Sequence, residues 1–197
     1  MGEIKIINNR EQAVAIIKAT AEWCGRKGLD VPRSWRSADA MAERIAKSGF
    51  KDDEYFVFTM DGKSIGACVL SDRDMDNEWK KYGYGDRHYY FGKFCVKDEF
   101  HGTGISRVLL DALKEKAIAD GVKSIRCVAV KKIAPIYIDA GFFPHWPFYG
   151  KRAGKTFVRL AWYRWTPDEF ETIWRGAGKF NLRRRAYLTL KRILWFL

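Results

Sequence analysis

The feature that most constrains the fold is a pair of glycines, Gly102 and Gly104, between a strand pattern and a helix pattern. The aromatic-rich segment 88–96 predicts a strand, and the apolar residues of 105–119 recur at helical spacing. A second apolar strand pattern follows at 124–130. A strand, a helix and a strand in this order build a parallel pair through a crossover connection, so the chain is predicted to be an α/β protein.

The rest of the sequence predicts further strands and helices around this unit. Asp61-Gly62 separates two apolar runs and is the preferred two-residue turn of a β-hairpin, here 55–71. The other predicted elements are a strand at 4–7, a helix that begins after Asn8 or Asn9, a weaker helix from Ser37 to Lys47, a long loop at 72–87, a short helix at 133–140 and a final strand at 156–165. This order predicts a mixed, mostly antiparallel central sheet flanked by helices.

The composition is that of one ordinary globular domain with an appendage. The chain has 197 residues, of which 47% are hydrophobic and 30% charged. Its four cysteines form no C-x-x-C pair, and with three scattered histidines they offer no metal-ligand spacing. We therefore expect free, mostly buried thiols and no metal site. The N-terminal segment lacks the apolar core of a signal peptide, so we expect a cytoplasmic protein.

The glycine turn is the candidate binding site. Glycine permits backbone dihedrals that leave amide groups accessible, and the first amides of a helix have no intrahelical partner. Together with the helix dipole, these donors favour a phosphate-like anion. A tight turn between a strand and a helix needs no ligand, however, and a lone G-x-G pattern supports that simpler interpretation as well.

The surrounding motifs resemble those of the GNAT superfamily of acyl-CoA-dependent N-acyltransferases. The family pattern [R/Q]-x-x-G-x-[G/A] after the fourth strand corresponds to His101-x-x-Gly104-x-Ser106, followed by Leu109-Leu110 in the helix. The segment Tyr137-x-x-x-Gly141-Phe142 is similar to the family's aromatic segment after the fifth strand. The resemblance covers residues 3 to 165 and departs from the pattern at His101, at Ser106 and at Val130, where many members carry Asn.

The resemblance implies a GNAT fold and acetyl-CoA as co-substrate, held between two strands that splay apart. The pyrophosphate would bind backbone amides of the turn, and His101 would add a donor. The pantetheine arm would lie along the preceding strand, and Tyr137 would act as general acid toward the leaving thiolate. The implied cofactor-binding residues are Phe94, Cys95, Val96, His101, Gly102, Thr103, Gly104, Ile105 and Ser106.

The sequence identifies neither the general base nor the amine acceptor. Segment 88–96 has no carboxylate, although many relatives use one there, so Asp72, Asp74, His88 and an ordered water are alternatives. The family's acceptor groove would be walled by aromatic residues, which suit a flat or hydrophobic amine: Trp23, Trp35, Trp79, Tyr82 and Tyr84. The acceptor is expected to be a small molecule or a peptide.

The C-terminal segment differs from the rest in charge. Residues 175–197 carry seven basic residues and no acid, which leaves +5 of the net +12 for the other 174 residues. The predicted domains are therefore a GNAT acyltransferase domain at 1–165 and a basic amphipathic helical extension at 166–197. The apolar stripe of 181–197 would pack on the domain, across a homodimer or on a membrane surface.

The leading hypothesis is an N-acetyltransferase. Two alternatives remain: a GNAT-fold sensor that binds acyl-CoA without turnover, and an RNA- or membrane-associated protein that acts through the basic tail. Specific nucleic-acid recognition is not expected, because the excess charge belongs to the tail and the body is only mildly basic.

Overall fold

The computed structural model describes residues 2–73, 87–152 and 155–164, with backbone only for 145–152 and 155. Most of the predicted loop at 72–87 and the extension at 166–197 lie outside these residues, so the domain boundary at 165 stays a prediction. The helices and strands are β1 (Ile4–Asn8), α1 (Arg10–Arg26), α2 (Ala38–Ala46), β2 (Tyr55–Met60), β3 (Lys63–Ser71), β4 (His88–Val96), α3 (Ile105–Ala119), β5 (Ser124–Val130), α4 (Ala134–Asp139), β6 (Phe143–Arg152) and β7 (Lys155–Tyr163).

The strands form one seven-stranded sheet in the order β1-β2-β3-β4-β5-β7-β6. The first four strands pair antiparallel with their neighbours, and β6 pairs antiparallel with β7. Strands β4 and β5 are parallel and are joined through α3. The predicted α/β class, with a mixed and mostly antiparallel sheet and one crossover unit, is confirmed.

Local sequence signals explain several of the element boundaries. Helix α1 begins after Asn9, whose side chain accepts a hydrogen bond from the backbone N–H of Gln12, and α2 begins after Ser37, which caps Ala40 in the same way. Between β2 and β3, Asp61 and Gly62 have φ of 52° and 76°. Two successive positive φ values are those of the two-residue hairpin turn that an Asp-Gly pair favours.

The sheet is buried on both faces by helices. On one face, α1 and α2 pack against β2, β3 and β4 around Ile17, Met41 and Val57, all fully buried. On the other face, α3 contributes Leu109 and Leu113 to a larger cluster shared with β4, β5 and α4. Buried leucines of this kind stabilise a fold by roughly 1.5–3 kcal/mol each. Strands β4 and β5 therefore sit in the middle of the core, where their geometry is fixed from both sides.

Strand β6 was not predicted from the sequence. Two prolines, Pro144 and Pro147, fall within Phe143–Arg152, and proline removes a donor from a strand ladder. The sheet accommodates them because β6 is the edge strand, next to β7 alone, and because its register shifts between Pro144 and Tyr149. An edge position with an irregularity is where a sheet tolerates proline.

Candidate functional site

Strands β4 and β5 separate halfway along their length. Their parallel pairing runs from His88 with Ser124 to Phe91 with Cys127 and then stops. At the same level, the register of β4 against β3 shifts, so that Lys93 and Phe94 together lie opposite a single residue of β3. A β-bulge of this kind bends the strand and ends the pairing. The predicted splay of the two strands before and after the glycine turn is present.

The glycine turn lies directly beyond the open end of β4. Gly102 and Gly104 have φ of 77° and 79°, and Gly104 in its left-handed conformation is the residue that starts α3. A Cβ atom at either position would meet nothing within 4 Å, so the backbone conformation, and not lack of space, requires glycine there. The first turn of α3 contains no acidic residue that would oppose an anion.

His101 does not extend toward the start of α3. Its Nε2 lies 2.8 Å from the carbonyl oxygen of Val96, and its ring packs edge-on against Trp23 of α1 with centroids 4.3 Å apart. The imidazole therefore bridges the end of β4 to α1. Its Nε2 is thus engaged at the end of β4, and the role of His101 as a donor for the pyrophosphate stays a prediction.

A cavity of about 580 Å³ opens where β4 and β5 separate. Seven of the ten predicted site residues line it: Phe94, Cys95, Val96, His101, Gly102, Ser106 and Tyr137. The other three do not line the cavity, and among them Ile105 has its side chain in the core, with 6% exposed. Thr103, Gly104 and Ile105 can thus contribute to an anion site only through the backbone or at its outer rim.

Tyr137 projects from α4 into the cavity wall between aromatic rings. Its ring is T-shaped to Phe94 and Phe142, at centroid distances of 6.2 Å and 5.9 Å, and its residue surface is 7% exposed. Burial raises the pKa of the phenol well above its ordinary value of 10, and the nearby thiol of Cys127 acts in the same direction. The phenol therefore keeps its proton at neutral pH, as a proton donor must.

The four cysteines are free and buried, as the sequence predicted. Two of them, Cys24 and Cys95, line the cavity. Burial raises the pKa of the Cys95 thiol to about 12 and also raises the pKa of Cys24. A protonated thiol is a poor nucleophile, so neither residue is suited to carry an acyl group during a reaction.

The two described base candidates, His88 and Asp72, do not line the cavity. His88 is at the start of β4, six residues before Phe94, which corresponds to about 20 Å along a strand. Asp72 is exposed at the end of β3 and does not line the cavity, and Asp74 lies outside the described residues. Among the described residues that line the cavity, the one carboxylate is Asp30, in the segment after α1.

The aromatic wall is present in part. Trp23 and Trp35 line the cavity beside Leu29, Val31 and Pro32, which gives this side an apolar surface. Trp79, Tyr82 and Tyr84, predicted for the same wall, lie outside the described residues.

Besides Lys132, sequence reasoning missed two charged residues of the cavity, Asp30 and Lys93. Lys93 belongs to the bulge of β4 and has a φ of 49°, in the left-handed region that few residues other than glycine adopt. Neither residue belongs to a sequence motif. A lysine in the middle of a predicted strand and an aspartate in a loop carry no signal of their own, and only the tertiary arrangement places them together.

The arrangement fits the two ends of an acyl-CoA. The turn and the start of α3 offer backbone amides to a pyrophosphate, and a Cβ at Gly102 or Gly104 would require a strained backbone there. On the side of β4 that faces β5, residues beyond Phe91 are outside the sheet ladder, so their backbone groups are open to an extended ligand.

The described residues contain no cluster of side chains that could hold a metal ion. They also contain no helix of the length and apolarity that crossing a bilayer requires.

Comparison with known proteins agrees with this geometry. Residues 20–163 match the family profile described as an acetyltransferase (GNAT) domain. No curated protein sequence matches the chain. Among solved structures, the fold is similar to a GNAT-family acetyltransferase from Listeria monocytogenes, with 19% identity, a TM-score of 0.59 and coverage of 81% of this chain and 94% of that one.

Two further similar structures have more specific names. One is the aminoglycoside acetyltransferase AAC(6')-Ib in complex with coenzyme A and kanamycin, with 16% identity, a TM-score of 0.59 and coverage of 86% and 98%. The other is a chimera of the spermidine N-acetyltransferase SpeG from Vibrio cholerae with hSSAT, with 16% identity, a TM-score of 0.56 and coverage of 81% and 95%. At these identities the structural likeness establishes the fold, and the profile match over most of the chain establishes the family: this protein belongs to the GNAT acetyltransferases.

Proposed function

We propose that the protein is a cytoplasmic N-acetyltransferase that moves the acetyl group of acetyl-CoA to an amine by direct attack. The cavity at the split between β4 and β5 carries this proposal, because it joins an anion-binding turn, open strand backbone and a buried phenol in one space. Acetyl-CoA would supply the activated thioester, and the following roles are assigned to the residues of this chain.

The backbone of the turn would bind the pyrophosphate. The amides of Gly104, Ile105 and Ser106 lie at the start of α3, where the helix dipole and the missing intrahelical partners favour an anion, and that of Gly102 lies just before it. The amide of Thr103 donates to the Phe100 carbonyl. The backbone of Phe94, Cys95 and Val96 would hold the pantetheine arm on the side of β4 that leaves the ladder. The hydrogen bond from His101 to the Val96 carbonyl would then have to open or be shared with the ligand.

Tyr137 would donate its proton, or a strong hydrogen bond, to the leaving thiolate. Its raised pKa does not oppose this role, because an apolar site also disfavours the thiolate and raises the pKa of the thiol in the same direction. The aromatic rings of Phe94 and Phe142 fix the orientation of the phenol. A donor that is already held in place loses little freedom when the thiolate forms.

Asp30 would take the proton of the attacking amine, directly or through water. An amine of pKa near 10 is deprotonated at pH 7 at a cost of about 4 kcal/mol, so a nearby acceptor is needed. Asp30 is the carboxylate that the described cavity wall offers. The protonated thiols of Cys24 and Cys95 favour direct attack over an acyl-cysteine route.

Release of the CoA thiol from acetyl-CoA in the presence of an amine panel tests the proposal. Turnover with at least one amine, and a product heavier by one acetyl group, is the expected result. Binding of CoA without thiol release on any amine would favour the alternative of a non-catalytic sensor. Val130, which stands in the cavity wall where many family members carry Asn, is consistent with that alternative. Failure of both acetyl-CoA and longer acyl-CoAs to bind would reject both functions.

A further inference from the structure

The charges on the described part of the cavity wall do not suit a polycationic acceptor. Spermidine and kanamycin carry several ammonium groups, and a site for such molecules needs several carboxylates. The described lining offers one, Asp30, against two ammonium groups, Lys93 and Lys132. Lys132 follows β5 on the side of α4, whereas Lys93 lies on β4 beside the apolar wall of Trp23 and Trp35. As far as the structure describes it, the acceptor side of the cavity therefore combines one carboxylate, one ammonium group and aromatic surface.

The bulge in β4 determines where Lys93 points. Ala67 pairs with Cys95 and Val69 with Gly92, so Lys93 is inserted in the ladder and adopts a φ of 49°. A residue other than glycine in this region is strained, and such strain persists only where the surrounding structure enforces it. The side chain runs toward Phe50, four residues beyond α2, with Nζ 4.7 Å from the centroid of the Phe50 ring.

No carboxylate of the described residues pairs with the Lys93 ammonium. Among the residues that the structure describes, it forms no ion pair or hydrogen bond, and the Phe50 ring is its recorded contact. Burial and the neighbouring Arg44 lower the pKa of Lys93 to about 8, so most of it is still protonated at pH 7. A half-buried cation without a counter-ion binds an anion strongly when the ligand supplies one, because the charge has already lost much of its water.

Lys93 is also next to the reacting end of the site. It directly precedes Phe94, the first residue of the segment assigned to the acyl arm, and the Phe94 ring lies 6.2 Å from that of Tyr137. Lys93 and Tyr137 line the same cavity, so an anion held by the Lys93 ammonium would lie in the space that the acceptor has to enter. With Asp30 attracting the amine and Lys93 the anion, the wall matches both charges of a zwitterion.

We propose that the acceptor is an amine that carries a carboxylate within a few bonds of its nitrogen, as an amino acid does, and that Lys93 binds this carboxylate while Trp23 and Trp35 contact an apolar side chain. This inference rests on the proposed acetyl transfer and narrows its substrate class.

Matched pairs of amines test the inference. Each apolar amino acid is compared with its decarboxylated partner: L-phenylalanine with 2-phenylethylamine, L-tryptophan with tryptamine, and L-leucine with 3-methylbutylamine, with spermidine as the polycation. The wild-type protein is expected to show a kcat/KM at least tenfold higher for the carboxylated member of at least one pair. One charge-assisted hydrogen bond accounts for a factor of about ten to a hundred.

Variants assign the preference to Lys93. In Lys93→Met the ratio of kcat/KM within the pair should fall by about tenfold or more, and Lys93→Arg should keep most of it. Lys132→Met removes the other cation of the described wall and should leave the ratio unchanged. Binding of CoA, measured by calorimetry, reports whether each variant is folded.

Several outcomes would overturn the inference. One is a wild-type preference for the decarboxylated amines or for spermidine. Another is an equal loss of kcat/KM for both members of a pair in Lys93→Met. The third is a ratio of kcat/KM within the pair that falls in Lys132→Met instead. No turnover of any pair while other amines are acetylated would reject this substrate class and keep the proposed function. Failure to bind acetyl-CoA would reject the proposed function itself.

Discussion

Replacing Lys93 by methionine should stabilise the protein while it impairs acceptor recognition. The pKa of Lys93 is lowered from its ordinary value of 10.5 to about 8, chiefly by burial. At about 1.36 kcal/mol per pKa unit, the charged side chain costs the folded state up to about 3 kcal/mol at pH 7. Methionine loses the contact of the ammonium with Phe50, worth about 1 kcal/mol, and regains part of it through its sulfur. The expected net stabilisation is about 1–2 kcal/mol.

The pH dependence of this difference identifies its cause. Below pH 8, Lys93 is charged in both the folded and the unfolded state, and the full difference is present. Between pH 8 and pH 10.5 the folded state loses the proton while the unfolded state retains it, so the wild type gains stability relative to the variant. The advantage of Lys93→Met should therefore shrink as the pH rises from 7 to 9.5.

Urea denaturation of the two proteins at pH 7.0 and pH 9.5 measures both quantities. Lys97→Met is the matched control, because Lys97 lies one residue beyond β4 and pairs with Glu99 near the surface. Its effect should stay within about 0.5 kcal/mol and should not change with pH. A destabilised Lys93→Met, or a difference that is the same at both pH values, would refute the assignment of Lys93 as a desolvated cation.

Three further predictions concern the reaction site. Gly104→Val should abolish CoA binding in calorimetry, because a branched side chain cannot adopt a φ of 79° without moving the turn. His101→Ala should weaken CoA binding by less than tenfold, since the ring bonds to Val96 and not to the start of α3. Intact CoA binding in both variants would contradict the role of the turn. Tyr137→Phe should lower kcat by about ten- to a hundredfold with little change in the KM for acetyl-CoA, and an unchanged kcat would remove Tyr137 from the mechanism. Asp30→Asn should lower kcat/KM for the amine most strongly near neutral pH. The difference in kcat/KM from the wild type should narrow at high pH, where the amine is largely unprotonated. An equal loss of kcat/KM at every pH would indicate a structural role for Asp30 instead.

Local signals explain why most of the framework could be predicted from the sequence. Asn9, Ser37 and the Asp61-Gly62 turn each act through backbone geometry within a few residues, and the observed boundaries of α1, α2 and the hairpin follow them. The strand–turn–helix unit around Gly102 and Gly104 is likewise a local pattern. These signals predicted the α/β framework, and seven of the ten site residues that the GNAT resemblance implied line the cavity.

The features that escaped prediction depend on tertiary structure. Strand β6 contains two prolines and is tolerated only because it lies at the edge of the sheet. The bulge at Lys93 arises where β4 leaves β5, and nothing within the sequence of β4 specifies the extra residue. The turn of His101 toward Trp23 depends on the distance between the end of β4 and α1. Each of these involves contacts between segments far apart in the chain.

Amide hydrogen exchange with and without CoA tests the central claim most directly, because it locates the ligand on the backbone that is assigned to bind it. Saturating CoA should slow exchange in residues 93–96 and 101–107, and Gly104→Val should lose this protection. The hairpin amides of β2 and β3 should exchange as before. Protection that is absent from both segments, or that appears only elsewhere in the chain, would contradict the assignment of the glycine turn and the open strand as the acyl-CoA site.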